Sequence, residues 1–363
     1  MVKLSEILDY DLLQKHIDNG NVSARYHKEL PLVIYNYTPQ CQYSRAWDDV
    51  TKKCRGLICN FETEEVVARP FEKFYNWDES GAPFPPTGPA LRMPKMDGSL
   101  GILYHYERKP YIATRGSFHS EQAEWATKFY MDNYSSEVRI FNSTNKTYLF
   151  EIIYPENRIV VDYGDYKGLV LIDVIDTETG LSDTDEFDNV GFDDKVVRKP
   201  VAGFDSGQDQ DIPPGDEGFV YLWPARNFRT KMKAAEYVRI HRLVSGLTAK
   251  SIWEHLVRGG TLEELKRDLP EEFHGFIDSN GKAIMQDASK VVSTVYYAID
   301  DIESKVLHER IDMVTRKEAA LAVKEHFPAL SKYIFAVLDG RPIYPLALAS
   351  VKPQREASLV TEV

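Results

Sequence analysis

The feature that most constrains the fold is a change in hydrophobic pattern about two thirds of the way along the 363-residue chain. From Pro31 to Ile240, short segments rich in Val, Ile, Tyr and Phe alternate with turn residues, which is typical of β-strands. These segments follow one another too closely for regular β-α-β crossovers. After Gly246, apolar residues recur with the period of α-helices. The pattern predicts an α+β domain at residues 1–244 and an all-helical domain at residues 245–363.

Local patterns predict some elements in more detail. Amphipathic patterning predicts helices at residues 1–16, 120–134 and 232–244 of the first domain. The segment "NRIVVDY", residues 157–163, has the composition of a β-strand. Three threonines are placed to cap helices of the second domain: Thr248, Thr261 and Thr315.

The composition describes a globular protein without a membrane span. Hydrophobic residues make up 43% and charged residues 28% of the chain, which is ordinary for such proteins. Three cysteines fit a reducing compartment, which predicts the cytoplasm, or the host cytoplasm for a phage-encoded chain. The net charge of −12 is concentrated in residues 176–217, which contain 13 acidic and three basic residues. Any nucleic-acid site must therefore be built from a few well-placed cations.

The stretch "RMPKMDGSLGILYH" places a lysine between two predicted strands. Pro94 favours an extended backbone before Lys95, and Gly98 supplies a turn after it. A lysine at such a junction can act as a covalent nucleophile if burial or nearby cations lower its pKa. On these residues alone, a surface lysine in a hairpin turn is the alternative interpretation.

Charged residues at later strands strengthen the first interpretation. Glu151 lies inside an apolar strand, and Glu217 lies at the start of another. Lys231 and Lys233 are two residues apart, so a strand would place both on one face. Taken singly, a strand acid is often ion-paired for structural reasons, and paired lysines often form a solvated edge. Two upstream cations complete the set: Arg55 and Lys73.

The order of these segments resembles the covalent nucleotidyltransferases, which include DNA ligases, RNA ligases and capping enzymes. The stretch "KMDGS" is similar to motif I of that superfamily, "FEIIYP" to motif III, "LVLIDV" to motif IIIa, "EGFV" to motif IV and "TKMK" to motif V. The stretches "RPFEKFYN" and "KMKAAEYVRIH" resemble the bacteriophage RNA ligase 1 family more closely. The resemblance covers about residues 30–245. It implies a nucleotidyltransferase fold with ATP-grasp-like antiparallel sheets and flanking helices.

The resemblance also implies an activity. Members of this family use ATP and Mg²⁺ or Mn²⁺ to join RNA 3′-hydroxyl and 5′-phosphate ends through lysyl-AMP and RNA-adenylate intermediates. It implies RNA as the partner, nicked tRNA among the substrates, a role in RNA repair and no membrane association. We expect a monomer. The helical domain is expected to select the RNA, with a merely packing and stabilising role as the alternative.

Site roles are carried over from the family residue by residue. Lys95 would be the nucleophile, with Lys231 and Lys233 as catalytic cations that also bind the nucleotide. The neighbouring cations are expected to lower the pKa of Lys95. Glu151 and Glu217 would bind the nucleotide and orient the metal ion through water. Further residues are expected at the nucleotide, the last two with less specific roles: Arg55, Lys73, Asp97, Gly98, Arg115, Tyr75 and Ser99. Glu263 and Glu264 are candidates only if the helical domain supplies part of the ATP site.

One departure from the family pattern concerns Arg115 in "TRGS", where the family tends to have lysine. The charge is kept, but a planar fork replaces a point charge, so the role of this position is open. Two alternative functions also remain. One is a capping enzyme or DNA ligase, although those proteins usually continue into a β-rich domain and this chain turns helical. The other is a non-catalytic RNA-binding module on the same fold.

Overall fold

The structure is a computed structural model that describes residues 2–134, 145–192, 194–207, 212–267, 269 and 273–353. The chain divides into two compact units, the first ending at Arg239 and the second beginning at Ile240. This division falls within the helix Ala235–Ser245. The boundary predicted from the sequence, between residues 244 and 245, lies at the end of the same helix.

The strands all belong to the first unit in the described part of the chain. They form three sheets, in the orders β1-β2-β3-β4, β10-β9-β7-β8 and β11-β6-β12-β13-β5. In chain order the strands are β1 (Val22–Tyr26), β2 (Leu32–Tyr37), β3 (Arg55–Asn60), β4 (Val66–Ala68), β5 (Tyr75–Asn76), β6 (Ala90–Pro94), β7 (Ser99–Tyr106), β8 (Lys109–Thr114), β9 (Lys146–Ile153), β10 (Gly168–Asp176), β11 (Lys199–Val201), β12 (Gly218–Trp223) and β13 (Phe228–Lys233).

Helices complete the first unit and make up the second within the described residues. In chain order they are α1 (Leu4–Ile7), α2 (Tyr10–Asp18), α3 (Pro39–Ser44), α4 (Asp49–Lys53), α5 (Glu121–Tyr134), α6 (Thr184–Asn189), α7 (Ala235–Ser245), α8 (Ala249–Val257), α9 (Leu262–Lys266), α10 (His274–Ile302), α11 (Arg316–His326), α12 (Ser331–Leu338) and α13 (Tyr344–Ser350).

Alternation along the strands builds the core of the first unit. On β2, Val33 and Tyr35 pack against the N-terminal helices, whereas Leu32 and Ile34 pack on the opposite face. Because successive side chains of a strand point to opposite faces, both faces of the first sheet are buried. The second face meets residues of β7, β8 and β9, such as Leu149, so the first and second sheets share one apolar cluster.

Nearly all strand pairs are antiparallel. In the third sheet, β12 pairs antiparallel with both β6 and β13, and only the short β5 runs parallel to its neighbour β13 among the described pairs. This arrangement confirms the predicted α+β class with antiparallel sheets and a helical C-terminal region. It also places the end of β6, the start of β12 and the end of β13 at one edge of the third sheet.

Two local predictions were wrong. The N-terminal segment forms two helices instead of one, because Leu8 is extended and the Asp9 side chain caps α2 by accepting a hydrogen bond from Leu12 N. Residues 157–163 form no strand. The amides of Val160 and Val161, which a strand would use in its ladder, donate instead to a side-chain carboxylate described below.

The predicted helix caps of the second unit are confirmed. Thr248, Thr261 and Thr315 each accept a hydrogen bond from the amide three residues later and so begin α8, α9 and α11. The long helix α10 carries residues of two apolar clusters, one with α8 and α13 and one with α11 and α12. The second unit therefore has a core of its own.

Candidate active site

The position of Lys95 follows from strand pairing. Lys95 is the first residue after β6, and its backbone N–H donates to Gly218 O at 2.9 Å. Glu217 immediately precedes β12, and Lys233 lies opposite Gly218 at the end of β13. Since these three strands are neighbours in the order β6-β12-β13, the charged side chains of Lys95, Glu217 and Lys233 meet at one edge of the third sheet.

A buried carboxylate joins the two lysines. Glu217 Oε2 lies 2.6 Å from Lys95 Nζ, and Glu217 Oε1 lies 2.8 Å from Lys233 Nζ. Only 1% of the Glu217 side chain is exposed. Burial alone would raise the pKa of Glu217, but the two ammonium groups outweigh it and hold that pKa below its ordinary value. The carboxylate is therefore ionised and bound on both oxygens.

The same contact determines the protonation of Lys95. Burial would lower the pKa of Lys95, but the carboxylates of Glu217, Glu151 and Asp97 outweigh burial, and the pKa is raised. The prediction that neighbouring cations lower this pKa was wrong. The reason is that Glu217 is in direct contact with the Lys95 ammonium and that Glu151 and Asp97 add further negative charge.

Lys231 has the opposite environment. Its side chain is half-buried, and its ammonium lies 5.3 Å from the centre of the Phe74 ring. Within the described ranges, the ammonium makes no hydrogen bond and no ion pair. Burial, and then the positive charges of Lys233, Lys95, Lys73 and Arg55, hold its pKa well below the ordinary value. The Lys231 amine thus has no directly bound counterion among the described residues and lies near four cations.

Arg55 and Lys73 supply two further cations near Lys231. The Arg55 guanidinium lies 4.8 Å from the centre of the Phe71 ring, and its Nη1 is buried without a hydrogen-bond partner among the described residues. Burial lowers the pKa of Arg55. The unpaired nitrogen would be satisfied by an anionic ligand.

Lys73 is held more tightly than Arg55. Its ammonium donates to Phe74 O at 3.1 Å and lies 3.6 Å from the Glu79 carboxylate. It also faces the ring of Tyr75 at 3.9 Å and the ring of Trp47 at 5.1 Å, which are cation–π distances. Burial lowers the pKa of Lys73, although Glu79 opposes the change. Tyr75 is therefore in direct contact with Lys73, which the sequence analysis expects at the nucleotide.

Arg115 lies in the loop after β8. Its Nη1 donates to Tyr37 Oη at 3.1 Å, and its positive charge contributes to the lowered pKa of Arg55. Arg115 therefore lies near the positive cluster.

Asp97 is turned into the protein. Its Oδ2 accepts hydrogen bonds from the amides of Val160 and Val161, both at 2.8 Å, and its Oδ1 accepts from Tyr237 Oη at 2.7 Å. Its own amide donates to Tyr163 Oη at 2.8 Å. The carboxylate thus ties the loop after β9 and helix α7 to the residues that follow the lysine.

Gly98 and Ser99 also have internal partners. Gly98 N donates to Glu151 Oε1 at 3.0 Å, and a Cβ atom at Gly98 would lie 2.5 Å from Ile152 O, so the backbone approach requires glycine. The buried hydroxyl of Ser99 donates to Asn157 Oδ1 at 3.1 Å. The stretch "KMDGS" therefore supplies Lys95 and also, through Gly98 and Ser99, packing contacts around the site.

Glu151 is the second carboxylate beside Lys95. It lies on β9, opposite Leu100 of β7 and Val170 of β10. Burial raises the pKa of Glu151 to about 7, against the opposing charge of Lys95 and with the help of Glu217. At neutral pH both protonation states of this carboxyl are therefore populated.

The donor set fits a divalent cation held through water. In the described part of the chain, no cluster of three or more His, Cys, Asp or Glu side chains could bind a metal directly. Both oxygens of Glu217 are engaged by lysines, and both oxygens of Asp97 are engaged by other donors. Carboxylates that accept hydrogen bonds from metal-bound waters suit Mg²⁺, which keeps several waters. Glu151 and Glu217 can serve in that way.

Glu263 and Glu264 lie in the second unit, on the exposed helix α9. Glu264 Oε2 accepts from Thr261 N at 3.0 Å, as part of the helix cap, and Glu263 pairs with Lys266 at 2.9 Å. Both residues therefore have a local role in stabilising α9.

Sequence reasoning missed the two tyrosines that contact Asp97. Tyr237 lies four residues after Lys233, within the quoted stretch "KMKAAEY". A helix that begins directly after the strand of Lys233 could have indicated that Tyr237 lies near the site. Tyr163 had no such signal, because its segment was assigned to a strand. The pKa of both phenols is raised, chiefly by burial.

The arrangement can carry out chemistry on phosphates. The Lys95 amine lies beside two carboxylates, and the nearby cations Lys231 and Arg55 have no ion pair among the described residues. Such a cluster attracts a polyanion and stabilises the negative charge that develops when a nucleophile attacks phosphorus.

A family model described as RNA ligase matches residues 53–205. The matched segment includes Lys95 and Glu151 and ends before Glu217. By this match the protein is classed as a ligase enzyme. Over these residues the chain is similar to RNA ligases.

Two relatives show how far the similarity extends. A protein of Thermovibrio ammonificans, provisionally named an RNA ligase, is 24% identical over 355 residues, which cover 88% of this chain and 87% of that protein. A protein of Autographa californica nuclear polyhedrosis virus, provisionally named a bifunctional polynucleotide kinase/RNA ligase, is 26% identical over 204 residues. Those residues cover 50% of this chain and only 29% of the viral protein.

Solved structures of an RNA ligase from Naegleria gruberi also match. A mutant form with ATP and Mn has a TM-score of 0.35 and 15% identity, and the match covers 43% of this chain and 52% of that one. The same ligase with pyrophosphate gives a TM-score of 0.34. No helix in the described residues is long and apolar enough to cross a membrane.

We predict that Lys95 and Lys231 titrate on opposite sides of the ordinary lysine pKa of 10.5. Only an uncharged amine reacts with acetic anhydride, so acetylation of Lys231 should reach its midpoint at lower pH than that of Lys95. Trace acetylation over a pH series, read by peptide mass spectrometry, measures both midpoints. Glu217→Gln should lower the Lys95 midpoint, whereas Asp176→Asn, which removes a partner of Lys146, should not. A Lys231 midpoint at or above that of Lys95 contradicts the assignment.

Proposed function

We propose that the protein is an ATP-dependent RNA ligase that joins RNA 3′-hydroxyl and 5′-phosphate ends through lysyl-AMP and RNA-adenylate intermediates. The observation that carries this proposal is the 2.6 Å contact of Lys95 with a buried carboxylate, beside the uncompensated cation Lys231. The family match adds the substrate class. The natural substrate would be broken RNA, with nicked tRNA as the specific candidate.

In the first step, the Lys95 amine attacks the α-phosphorus of ATP, a phosphoramidate bond forms and pyrophosphate leaves. The ammonium must first lose a proton, and the ion pair with Glu217 opposes that loss. A divalent cation bound beside Glu151 and Glu217 would supply positive charge that lowers the pKa of Lys95. Glu151 and Glu217 would hold it through water.

The cations have separate tasks in this proposal. Lys231 has no counterion in direct contact among the described residues, so its ammonium is available to the triphosphate. Lys233 is bound to Glu217 and holds that carboxylate in place while Lys95 changes its partner. Arg55 has a buried nitrogen without a described partner and would pair with a phosphate oxygen.

Two further phosphoryl-transfer steps follow. AMP passes from Lys95 to the RNA 5′-phosphate, and the RNA 3′-hydroxyl then attacks that phosphate and releases AMP. Each step develops negative charge on phosphate oxygens, so one cation cluster can serve all three. The helical second unit would select the RNA. The protein would act as a monomer. Its three cysteines are buried and free, which favours a reducing cytoplasm.

We predict that Lys95→Arg abolishes lysyl-AMP formation. The guanidinium keeps a positive charge next to Glu217 but stays protonated and cannot attack phosphorus. Incubation with α-labelled ATP and Mg²⁺ or Mn²⁺, followed by denaturation, measures the retained label. Lys146→Arg, which preserves an ion pair on β9, is the matched control and should label like the wild type.

Other outcomes of the same assay separate the alternatives. Wild-type protein that retains no label with any divalent metal would be a non-catalytic RNA-binding module. Equal labelling from GTP would favour a capping enzyme. Transfer of AMP to DNA ends in place of RNA ends would favour a DNA ligase. Label on Lys95→Arg would exclude Lys95 as the nucleophile.

We predict that metal binding releases protons near neutral pH. Glu151 has a pKa of about 7, and a nearby divalent cation favours its ionised form. Calorimetry with Mg²⁺ or Mn²⁺ at pH 7, in two buffers of different ionisation enthalpy, should show release of up to about half a proton. Glu151→Gln keeps an oxygen for the Gly98 hydrogen bond and should remove the release. Unchanged release from that variant would place the metal elsewhere.

We predict that a chain ending at residue 246 still forms lysyl-AMP but loses preference among RNA substrates. All first-unit contacts described above, including the Tyr237 hydroxyl on Asp97, lie before that point. A shorter chain ending at residue 233 lacks Tyr237 and should fail, which makes it the matched control. If the longer fragment is folded by circular dichroism but cannot adenylylate, the second unit supplies part of the ATP site, with Glu263 and Glu264 as the candidates.

A further inference from the structure

A buried ion cluster lies outside the residues assigned above. Asp173 Oδ2 lies 2.7 Å from Arg229 Nη2, and Asp173 Oδ1 lies 2.7 Å from Arg198 Nη2. The Ser182 hydroxyl donates to Asp173 Oδ2 at 2.7 Å. No more than 6% of any of the three charged side chains is exposed. The cluster therefore joins β10 of the second sheet to two segments of the third.

A β-bulge directs Asp173 into this position. The pairing of β10 with β9 shifts register between Leu171 and Asp173, so Asp173 lies opposite Leu149. Leu149 is two residues from Glu151 on β9, and residues two apart share one face of a strand. Asp173 thus points to the same side of the second sheet as Glu151. Bulges of this kind re-aim a side chain next to functional sites.

The two arginines belong to segments on either side of the strands that carry the reactive residues. Arg198 immediately precedes β11, and Arg229 lies in β13. In the order β11-β6-β12-β13, the strands between them are β6, which ends before Lys95, and β12, which begins after Glu217. Asp173 therefore holds the third sheet from both sides of its central pair.

Arg229 is also linked to Lys231 directly along the chain. Arg229, Lys231 and Lys233 alternate along β13 and share one face of the strand. The Arg229 guanidinium lies 5.0 Å from the centre of the Phe71 ring, against which Arg55 also packs. A shift of Arg229 would move the strand and the ring that support the positive cluster.

We propose that Asp173 is a positioning residue for lysyl-AMP formation, which it supports by fixing β13, and with it Lys231 and Lys233, against the second sheet. This inference rests on the proposed ligase function. Removing the carboxylate leaves two buried guanidinium groups without their counterion, and such a loss displaces the groups that remain. A displacement of about 1 Å at a reacting group can reduce a rate by roughly 100-fold.

The test compares two aspartates of the same strand in the full-length protein. Asp173→Asn removes the cluster charge, and Asp176→Asn removes a carboxylate that pairs with Lys146 at 2.9 Å and has no partner on β13 among the described residues. We expect Asp173→Asn to slow single-turnover lysyl-AMP formation at saturating ATP by about 10- to 100-fold. Asp176→Asn should stay within about twofold of the wild type, with thermal unfolding measured for both variants.

A double-mutant cycle with Arg229→Gln separates positioning from general destabilisation. If Asp173 acts through Arg229, the double variant should be about as slow as the slower single variant, because both changes disrupt one interaction. Equal rates for Asp173→Asn and Asp176→Asn, or fully additive losses in the cycle, would overturn the proposal. Wild-type protein that forms no lysyl-AMP would instead overturn the proposed function.

Discussion

The contact on which the rest of the site depends is the buried carboxylate of Glu217 between Lys95 and Lys233. A single buried carboxylate is costly to desolvate, and removal of one partner from such a group is destabilising. Two ammonium groups from the neighbouring strands β6 and β13 offset this cost. The arrangement holds three strand ends together, but it also keeps the Lys95 amine protonated. Stability of the resting site and reactivity of the Lys95 amine are therefore opposed, and one carboxylate sets the balance.

Lys231 shows the complementary situation. Its charge is disfavoured by burial and by four neighbouring cations, with no counterion in direct contact among the described residues. Lys231 lies in β13, and its ammonium is 5.3 Å from the centre of the Phe74 ring. The binding of a polyanion would relieve the repulsion, so free energy that is unfavourable without ligand would return as affinity for a triphosphate. A site with paired charges at the amine and unpaired charges beside it is suited to holding phosphates against a nucleophile.

The order of charged residues along the strands was predictable from the sequence, whereas their electrostatic balance was not. Alternation of apolar residues placed Glu151, Glu217 and the two lysines of β13 at strands, and antiparallel pairing then brought their ends together. The direction of the Lys95 pKa shift depends on which charges lie within contact distance, and sequence spacing does not contain that information. The prediction of a strand at residues 157–163 was wrong for a related reason. The composition of this segment suits a strand, but the Asp97 carboxylate takes the amides of Val160 and Val161. Asp173 lies in the quoted stretch "LVLIDV", but its ion pairs were not predictable because a bulge determines where it points.

The geometry of the site depends on the contacts of the residues that follow Lys95. Asp97 fixes the loop after β9 and helix α7, and neither of its oxygens is left for a ligand to bind without displacing a donor. Gly98 allows β7 to approach β9 closely enough for its amide to bind Glu151. Any side chain at position 98 would push against Ile152 O, separate these strands and move Glu151 away from Lys95. The placement of the second carboxylate beside Lys95 therefore depends on the absence of a Cβ atom at position 98.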